Sequence, residues 1–182
     1  MTSIIKGHIV VVMFAFMLSA CSAPQEAEDI NTQIALIDKA DGLSYELAFE
    51  LLELETICFG QDFAIETEPA KIDDNKSTII AMDTESLISA LHVTPDEVEK
   101  NVEIALKGSE KFNYEESASQ IRQTLQSAKS KYDEAKNHFD RRKEDKQSYK
   151  AYCSHFVQAG KHYKLLSTQL NTLEEDLEAR SR

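Results

Sequence analysis

The last third of the chain carries two apolar patterns that constrain its fold more than any other feature. In each pattern apolar residues recur at alternating spacings of three and four, the heptad repeat of packed α-helices. The first comprises Ala118, Ile121, Leu125, Ala128, Tyr132, Ala135 and Phe139. The second comprises Tyr152, Phe156, Ala159, Tyr163, Leu166, Leu170, Leu173 and Leu177. The residues of each pattern form an apolar stripe along one side of a helix, and this stripe needs a helical neighbour to cover it. The chain is therefore predicted to be all-α.

The polar segment between the two patterns, Asp140 to Ser148, decides how these helices are arranged. A turn there would bring the two stripes together as a long C-terminal, coiled-coil-like αα-hairpin within an antiparallel helical bundle. The segment contains neither Gly nor Pro, and its Arg, Lys and Glu residues favour helix. One continuous long helix is therefore the alternative, and its stripe would be covered by a second copy of the chain.

The part of the chain before the heptads, residues 28–110, is also predicted to be mainly helical. Apolar residues at helical spacing begin at Ile30, and the pair Asp41-Gly42 is typical of a turn. Ser44 would then cap a second helix, whose apolar face contains Leu47, Leu51, Leu54 and Cys58. Thr94 followed by Pro95 predicts the start of a later helix, which ends near Gly108.

Residues 61–83 lack helical periodicity. Two short apolar runs, 63–65 and 78–80, flank a polar stretch that contains Pro69. A small β-hairpin is predicted at 61–83, with a long loop as the alternative.

The N-terminus carries a pattern of a different kind. One cation, Lys6, precedes an apolar run from Ile9 to Leu18, and small residues follow the run. A membrane-spanning helix needs about 20 apolar residues, whereas this run has ten. Its length and flanks are typical of a secretory signal peptide.

The residues Leu18-Ser19-Ala20-Cys21 resemble the lipobox of bacterial lipoprotein signal peptides. The resemblance is confined to residues 1–22. It implies that residues 1–20 are removed, that Cys21 receives a diacylglyceryl group, and that its new amine is acylated. Ser22 stands where Asp would favour the inner membrane, which implies an outer-membrane location. Residues 21–27 would form a lipidated tether, and residues 28–182 a single helical domain.

Three cysteines are present, and the resemblance assigns Cys21 to lipid. Cys58 and Cys153 remain, an even pair in an oxidising compartment, and we predict a disulfide between them. Two buried free thiols are the alternative, because cysteine also behaves as a small core residue.

Charge is unevenly distributed along the chain. Residues 22–110 contain 5 Lys or Arg against 21 Asp or Glu, whereas residues 111–182 contain 14 against 11. A basic belt occupies residues 141–150, but the whole chain is acidic and exported, which argues against nucleic-acid binding. The two halves are expected to attract each other.

Candidate chemical sites are few in the sequence. The chain has no glycine-rich phosphate loop, nucleophile elbow or HExxH motif. A calcium loop starting at Asp73 would need Gly and Glu where Thr78 and Thr84 stand. His155 and His162 are seven apart rather than four, and His92 and His138 are isolated in sequence. We therefore expect no catalytic residues, no metal and no cofactor.

These observations favour a non-enzymatic, lipid-anchored helical protein at the periplasmic face of the outer membrane. It would act as an interaction or structural module. Its partner would be another envelope protein, a second copy of the chain, or anionic lipid headgroups facing the basic belt. The alternative is an envelope enzyme or ligand-binding lipoprotein, whose site would combine residues 61–83 with the histidines.

Overall fold

The computed structural model describes residues 22–59, 74–142 and 149–181, and within these ranges it contains helices and turns but no strand. The helices are α1 (Ser22–Phe59), α2 (Asp74–Ser89), α3 (Pro95–Leu106), α4 (Glu115–Asp140) and α5 (Tyr149–Ser181). They pack as one bundle, so the all-α prediction is confirmed.

Helices α4 and α5 form the predicted antiparallel hairpin. The rings of Phe139 and Tyr152 meet at 5.1 Å between centroids, and those of Tyr132 and Phe156 meet at 5.6 Å. The earlier residue of α4 in these pairs, Tyr132, contacts the later residue of α5, Phe156, so the two helices run in opposite directions. The single continuous helix considered as an alternative is wrong, because the two apolar stripes cover each other within one chain. Residues 143–148, which connect the two helices, lie outside the described residues.

Every residue of the two predicted stripes is buried. Helix α5 also has a second buried stripe, which faces α1 and comprises Cys153, Val157, Gly160 and Ser167. A Cβ on Gly160 would lie 3.1 Å from Leu52 Cγ and 3.3 Å from the Ala48 carbonyl oxygen. The absence of a side chain at this position thus lets α5 approach α1 closely, and α5 lies between α1 and α4.

Helix α1 runs without interruption past Gly42, so the turn predicted at Asp41-Gly42 is wrong. Its buried residues keep the three–four spacing on both sides of Gly42, and burying this stripe offsets the roughly 1 kcal/mol helix penalty of glycine. The Ser44 hydroxyl does not cap a helix but donates a hydrogen bond to the Ala40 carbonyl at 2.7 Å. The residues of this stripe are Ile37, Ala40, Ser44, Leu47, Leu51, Leu54 and Cys58.

Residues 78–80 belong to α2, so the β-hairpin predicted at 61–83 is wrong for its second strand. Ile80 and Thr84 are buried one helical turn apart, an arrangement that a helix packed on α1 provides. Residues 60–73, which include the first predicted strand, lie outside the described residues.

Helix α3 begins as the sequence predicts. The Thr94 hydroxyl accepts a hydrogen bond from the Glu97 backbone N–H at 3.2 Å, and Pro95 occupies the first helical position. The helix ends at Leu106, two residues before Gly108.

A buried polar network joins α1 to the connection between α3 and α4. The Gln33 side-chain amide donates to the Ala105 carbonyl and, at 2.9 Å, to the Tyr114 hydroxyl. That hydroxyl donates to the same carbonyl at 2.8 Å. Burial raises the pKa of Tyr114 to about 12. A Cβ on Gly108 would overlap the Gln33 side-chain oxygen, so a side chain there would displace the Gln33 amide.

Candidate functional site

The predicted lipidation site, Cys21, lies outside the described residues. Helix α1 begins at Ser22, so the residues assigned to a tether, 22–27, form the first turns of that helix.

Cys58 at the end of α1 and Cys153 near the start of α5 form a disulfide, with their Cα atoms 6.1 Å apart. Both residues are buried, so the bond is part of the core between the two helices. Disulfides form and persist in oxidising compartments, which indicates a location outside the cytoplasm. Because the chain has three cysteines, the bond leaves Cys21 as the remaining thiol.

None of the described helices combines the length and the apolar character that crossing a bilayer needs.

His92 has acidic neighbours that its isolation in the sequence did not suggest. Its Nδ1 lies 2.6 Å from Glu50 Oε1, and its backbone N–H donates to the same carboxylate at 3.1 Å. The hydrogen bond to Glu50 and the charges of Glu50 and Glu46 raise the pKa of His92. The ligand atoms of Glu46, Glu50 and His92 all lie within 4.8 Å of one another. We call these three residues the His92 cluster.

A surface hollow of about 380 Å³ adjoins the His92 cluster, between α1 and α2. Its wall is partly acidic and partly apolar, which suits a small charged ligand better than a large apolar one. The lining residues are Glu50, Glu53, Ile57, Asp83, Ser86, Leu87, Ala90, Leu91 and His92.

The sequence could have suggested two of the three residues of this cluster. Glu46 and Glu50 are four apart on a predicted helix and therefore share a face. His92 comes from the turn between α2 and α3, far along the chain, and no spacing rule connects it to them.

His155 and His162, which are seven residues apart in the sequence, lie in different surroundings. His155 Nδ1 is 3.1 Å from a Glu134 oxygen, and the Lys131 ammonium is 2.7 Å from the same atom. His162 lines a shallow groove between α4 and α5 with Gln123, Ser127 and other polar residues. Lys131 brings positive charge to His155, which opposes metal binding there.

The described part of the basic belt lies at the end of the bundle that carries the disulfide. Arg142 stacks over the Phe139 ring at 3.7 Å and pairs with Glu85 at 3.0 Å. Phe139 packs on Tyr152, the neighbour of Cys153. Lys143 and Lys146 lie outside the described residues. Ser22 lies at the opposite end of α1 from Cys58. A helix of 38 residues is about 55 Å long, so the two ends of α1 are far apart.

Five large apolar side chains are exposed on the described helices. Tyr45 and Phe49 are four apart on α1 and are 58% and 59% exposed. Ile79 and Met82 are exposed on α2, and Leu165 on α5. Tyr45 and Phe49 together give α1 an apolar outer face next to its buried one.

Comparisons with known proteins return no relative for this chain: no family model, no curated protein and no solved structure matches it.

Proposed function

We propose that this chain is a non-enzymatic lipoprotein of the bacterial envelope, held by acyl chains on Cys21. It presents a helical bundle to a protein partner at the periplasmic face of the outer membrane. The observation that carries the proposal is the disulfide between Cys58 and Cys153. It indicates export, and it leaves the lipobox cysteine as the one thiol available for lipid.

The start of α1 at Ser22 supports an anchoring role for its N-terminus. A lipid on Cys21 would be attached directly to a helix that runs the length of the bundle. Each buried lipid CH₂ contributes about 0.8 kcal/mol, so two or three chains hold the protein firmly. The bundle would then stand close to the bilayer, with little freedom to move away from it.

The position of the basic belt favours a protein partner over the headgroups of the anchoring membrane. Arg141 and Arg142 lie at the far end of the bundle from Ser22. When α1 stands away from the bilayer, these cations are several Debye lengths of about 8 Å from its surface. Arg142 is moreover already engaged with Glu85 and Phe139.

The exposed pair Tyr45 and Phe49 supplies a contact surface for that partner. Aromatic side chains bury large areas with few rotatable bonds and are enriched at protein interfaces. Both belong to the helix that carries the anchor, so the partner is expected to approach α1 from outside the bundle.

Mass spectrometry of the protein purified from membranes tests the anchor. The expected N-terminus is Cys21, with a mass increase equal to a diacylglyceryl group and an acyl chain. Cys21→Ser should retain the leader and lose the lipid, whereas the control Cys58→Ser should keep the lipid. A native chain that is unmodified at Cys21 and still joined to residues 1–20 would refute the proposal.

Site-specific photo-crosslinking in cells tests the interaction surface. A photoreactive residue at position 49 should give one discrete adduct, and the same residue at the exposed control position Thr172 should not. Tyr45→Ser should weaken the adduct at position 49. An adduct of twice the mass of the cleaved and lipidated chain identifies a second copy as the partner. Only monomer at both positions would contradict an interaction role.

The second candidate function is a ligand-binding lipoprotein. The observation that favours it is the hollow beside the His92 cluster, where acidic and apolar residues share one wall. Binding of a small cationic ligand that Glu53→Gln and Asp83→Asn both weaken would favour this function over the interaction module.

A further inference from the structure

We propose that the His92 cluster binds one divalent transition-metal ion, with Glu46, Glu50 and His92 as its protein ligands, and that zinc is the ion it suits best. This site goes beyond the proposed interaction function, since it depends neither on the anchor nor on a partner.

Helix α1 and the turn between α2 and α3 bring the ligands together. Glu46 and Glu50 are one turn apart on α1 and extend from the same face of that helix. His92 lies in the turn between α2 and α3, and its backbone N–H is fixed to the Glu50 carboxylate. The carboxylate is thereby oriented by a group that is not a ligand, as in metal sites whose ligands are held by neighbouring hydrogen bonds.

The distances require only small side-chain movements. Zinc bonds of about 2.0–2.2 Å place two tetrahedral ligand atoms roughly 3.4 Å apart. The present ligand atoms lie within 4.8 Å, and the Nδ1–Oε1 pair must open from 2.6 Å to admit the ion. The His92 side chain is 79% exposed and that of Glu50 16% exposed. The imidazole and the exposed Glu46 can therefore move while Glu50 stays in place.

The donor set selects among metals. Carboxylates alone suit calcium and magnesium, but an imidazole nitrogen favours zinc and other transition metals. Glu53 and Asp83 line the adjoining hollow and add negative charge around the cation. The three ligands leave a fourth tetrahedral position for water or for a ligand from outside the chain.

Metal binding would also join two parts of the bundle. Glu46 and Glu50 belong to α1, whereas His92 connects α2 to α3. An ion held by all three ligands would favour the packing of this turn on α1 and raise the midpoint of thermal unfolding by mass action.

Calorimetric titration of the full chain in detergent, after removal of metals with a chelator, tests the site. Zinc chloride should bind the unchanged protein at the cluster with one ion per chain, and magnesium chloride should give no binding at this site. Glu46→Gln is the decisive variant, because the Glu50–His92 pair does not depend on it. We expect zinc to bind Glu46→Gln and His92→Gln at least ~10-fold more weakly than the unchanged protein. His162→Gln, away from the cluster, is the matched control and should bind zinc normally.

Thermal unfolding with and without zinc provides an independent measurement. Zinc should raise the unfolding midpoint of the unchanged protein and of His162→Gln, but not that of His92→Gln or Glu46→Gln. Equal zinc affinity in all four proteins would overturn the proposal, as would absence of zinc binding in the unchanged protein. In either case the pair of Glu50 and His92 is an ion pair only.

Discussion

The imidazole rings of His138 and His155 stack face to face, with 5.1 Å between their centroids and 6° between their planes. His138 lies on α4 and His155 on α5, so the stack is part of the contact between the two arms of the hairpin. Burial lowers the pKa of His155 most, Glu134 opposes this effect, and Lys131 and His138 add to it. Protonation of both rings would place two positive charges in contact.

His155 is therefore expected to titrate below its ordinary value of 6.5. Proton NMR of the ring resonances measures this pKa directly. His138→Gln should raise the pKa of His155, and Glu134→Gln should lower it further, because one neighbour repels the proton and the other attracts it. A His155 that titrates above 6.5 in the folded protein would contradict this account.

The lowered pKa of His155 predicts that the folded protein loses stability as the pH falls. A histidine whose pKa is lower in the folded than in the unfolded state binds fewer protons when folded. Its contribution to stability is full above pH 6.5 and is lost as the pH falls through the folded value. Urea unfolding between pH 7.5 and pH 5 should show a smaller loss of stability in His155→Gln than in the unchanged protein.

Removing the disulfide should destabilise the bundle. The bond closes a loop with a sequence separation of 95 residues, for which the chain-entropy model gives roughly 4 to 5 kcal/mol. Urea unfolding of Cys58→Ser/Cys153→Ser should show a loss of about 2–5 kcal/mol. Cys21→Ser serves as the control, and its stability should match that of the unchanged protein and fall on reduction. A double variant as stable as the unchanged protein would contradict the prediction.

Gly42→Ala should stabilise the protein, because Gly42 lies inside α1 and a Cβ there meets no atom within 4 Å. Alanine in the interior of a helix is favoured over glycine by about 0.8–1.0 kcal/mol. The measurement is the free energy of unfolding by urea. A loss of stability would indicate that the chain turns at Gly42.

Gly108→Ala should destabilise the protein, because the added Cβ would displace the Gln33 side chain from the Ala105 carbonyl and the Tyr114 hydroxyl. Loss of these buried hydrogen bonds is expected to cost about 1–3 kcal/mol. A double-mutant cycle with Gln33→Ala checks the cause, since the methyl group should cost less when the longer side chain is absent. Strictly additive effects of the two substitutions would show that Gln33 is not responsible.

The hairpin of α4 and α5 could be predicted from the sequence because its stripes consist of apolar residues at fixed spacing. The second stripe of α5 could not, since Gly160 and Ser167 are not apolar. Gly160 is buried because it lets two helices approach, and Ser167 because it donates a hydrogen bond to Asp41. Both reasons depend on the opposing helix, which local spacing does not reveal.

The errors in the first half of the chain have a similar cause. Asp41-Gly42 is typical of a turn, but the tertiary contacts of the flanking apolar residues keep the helix continuous. Residues 78–80 contain two adjacent isoleucines, which favour a strand locally, yet Ile80 packs into the core as part of a helix. His92 reaches Glu50 only through the packing of α2 and α3 on α1.

The bond between Cys58 and Cys153 also determines which parts of the chain would carry tension. If the protein is pulled between Cys21 and its C-terminal end, the covalent path runs along α1, across the two sulfur atoms and along α5. The residues between the two cysteines, with α2, α3 and α4, lie outside that path. Force would separate α1 from α5, beginning at the end that carries Ser22, and the separation would stop at the disulfide.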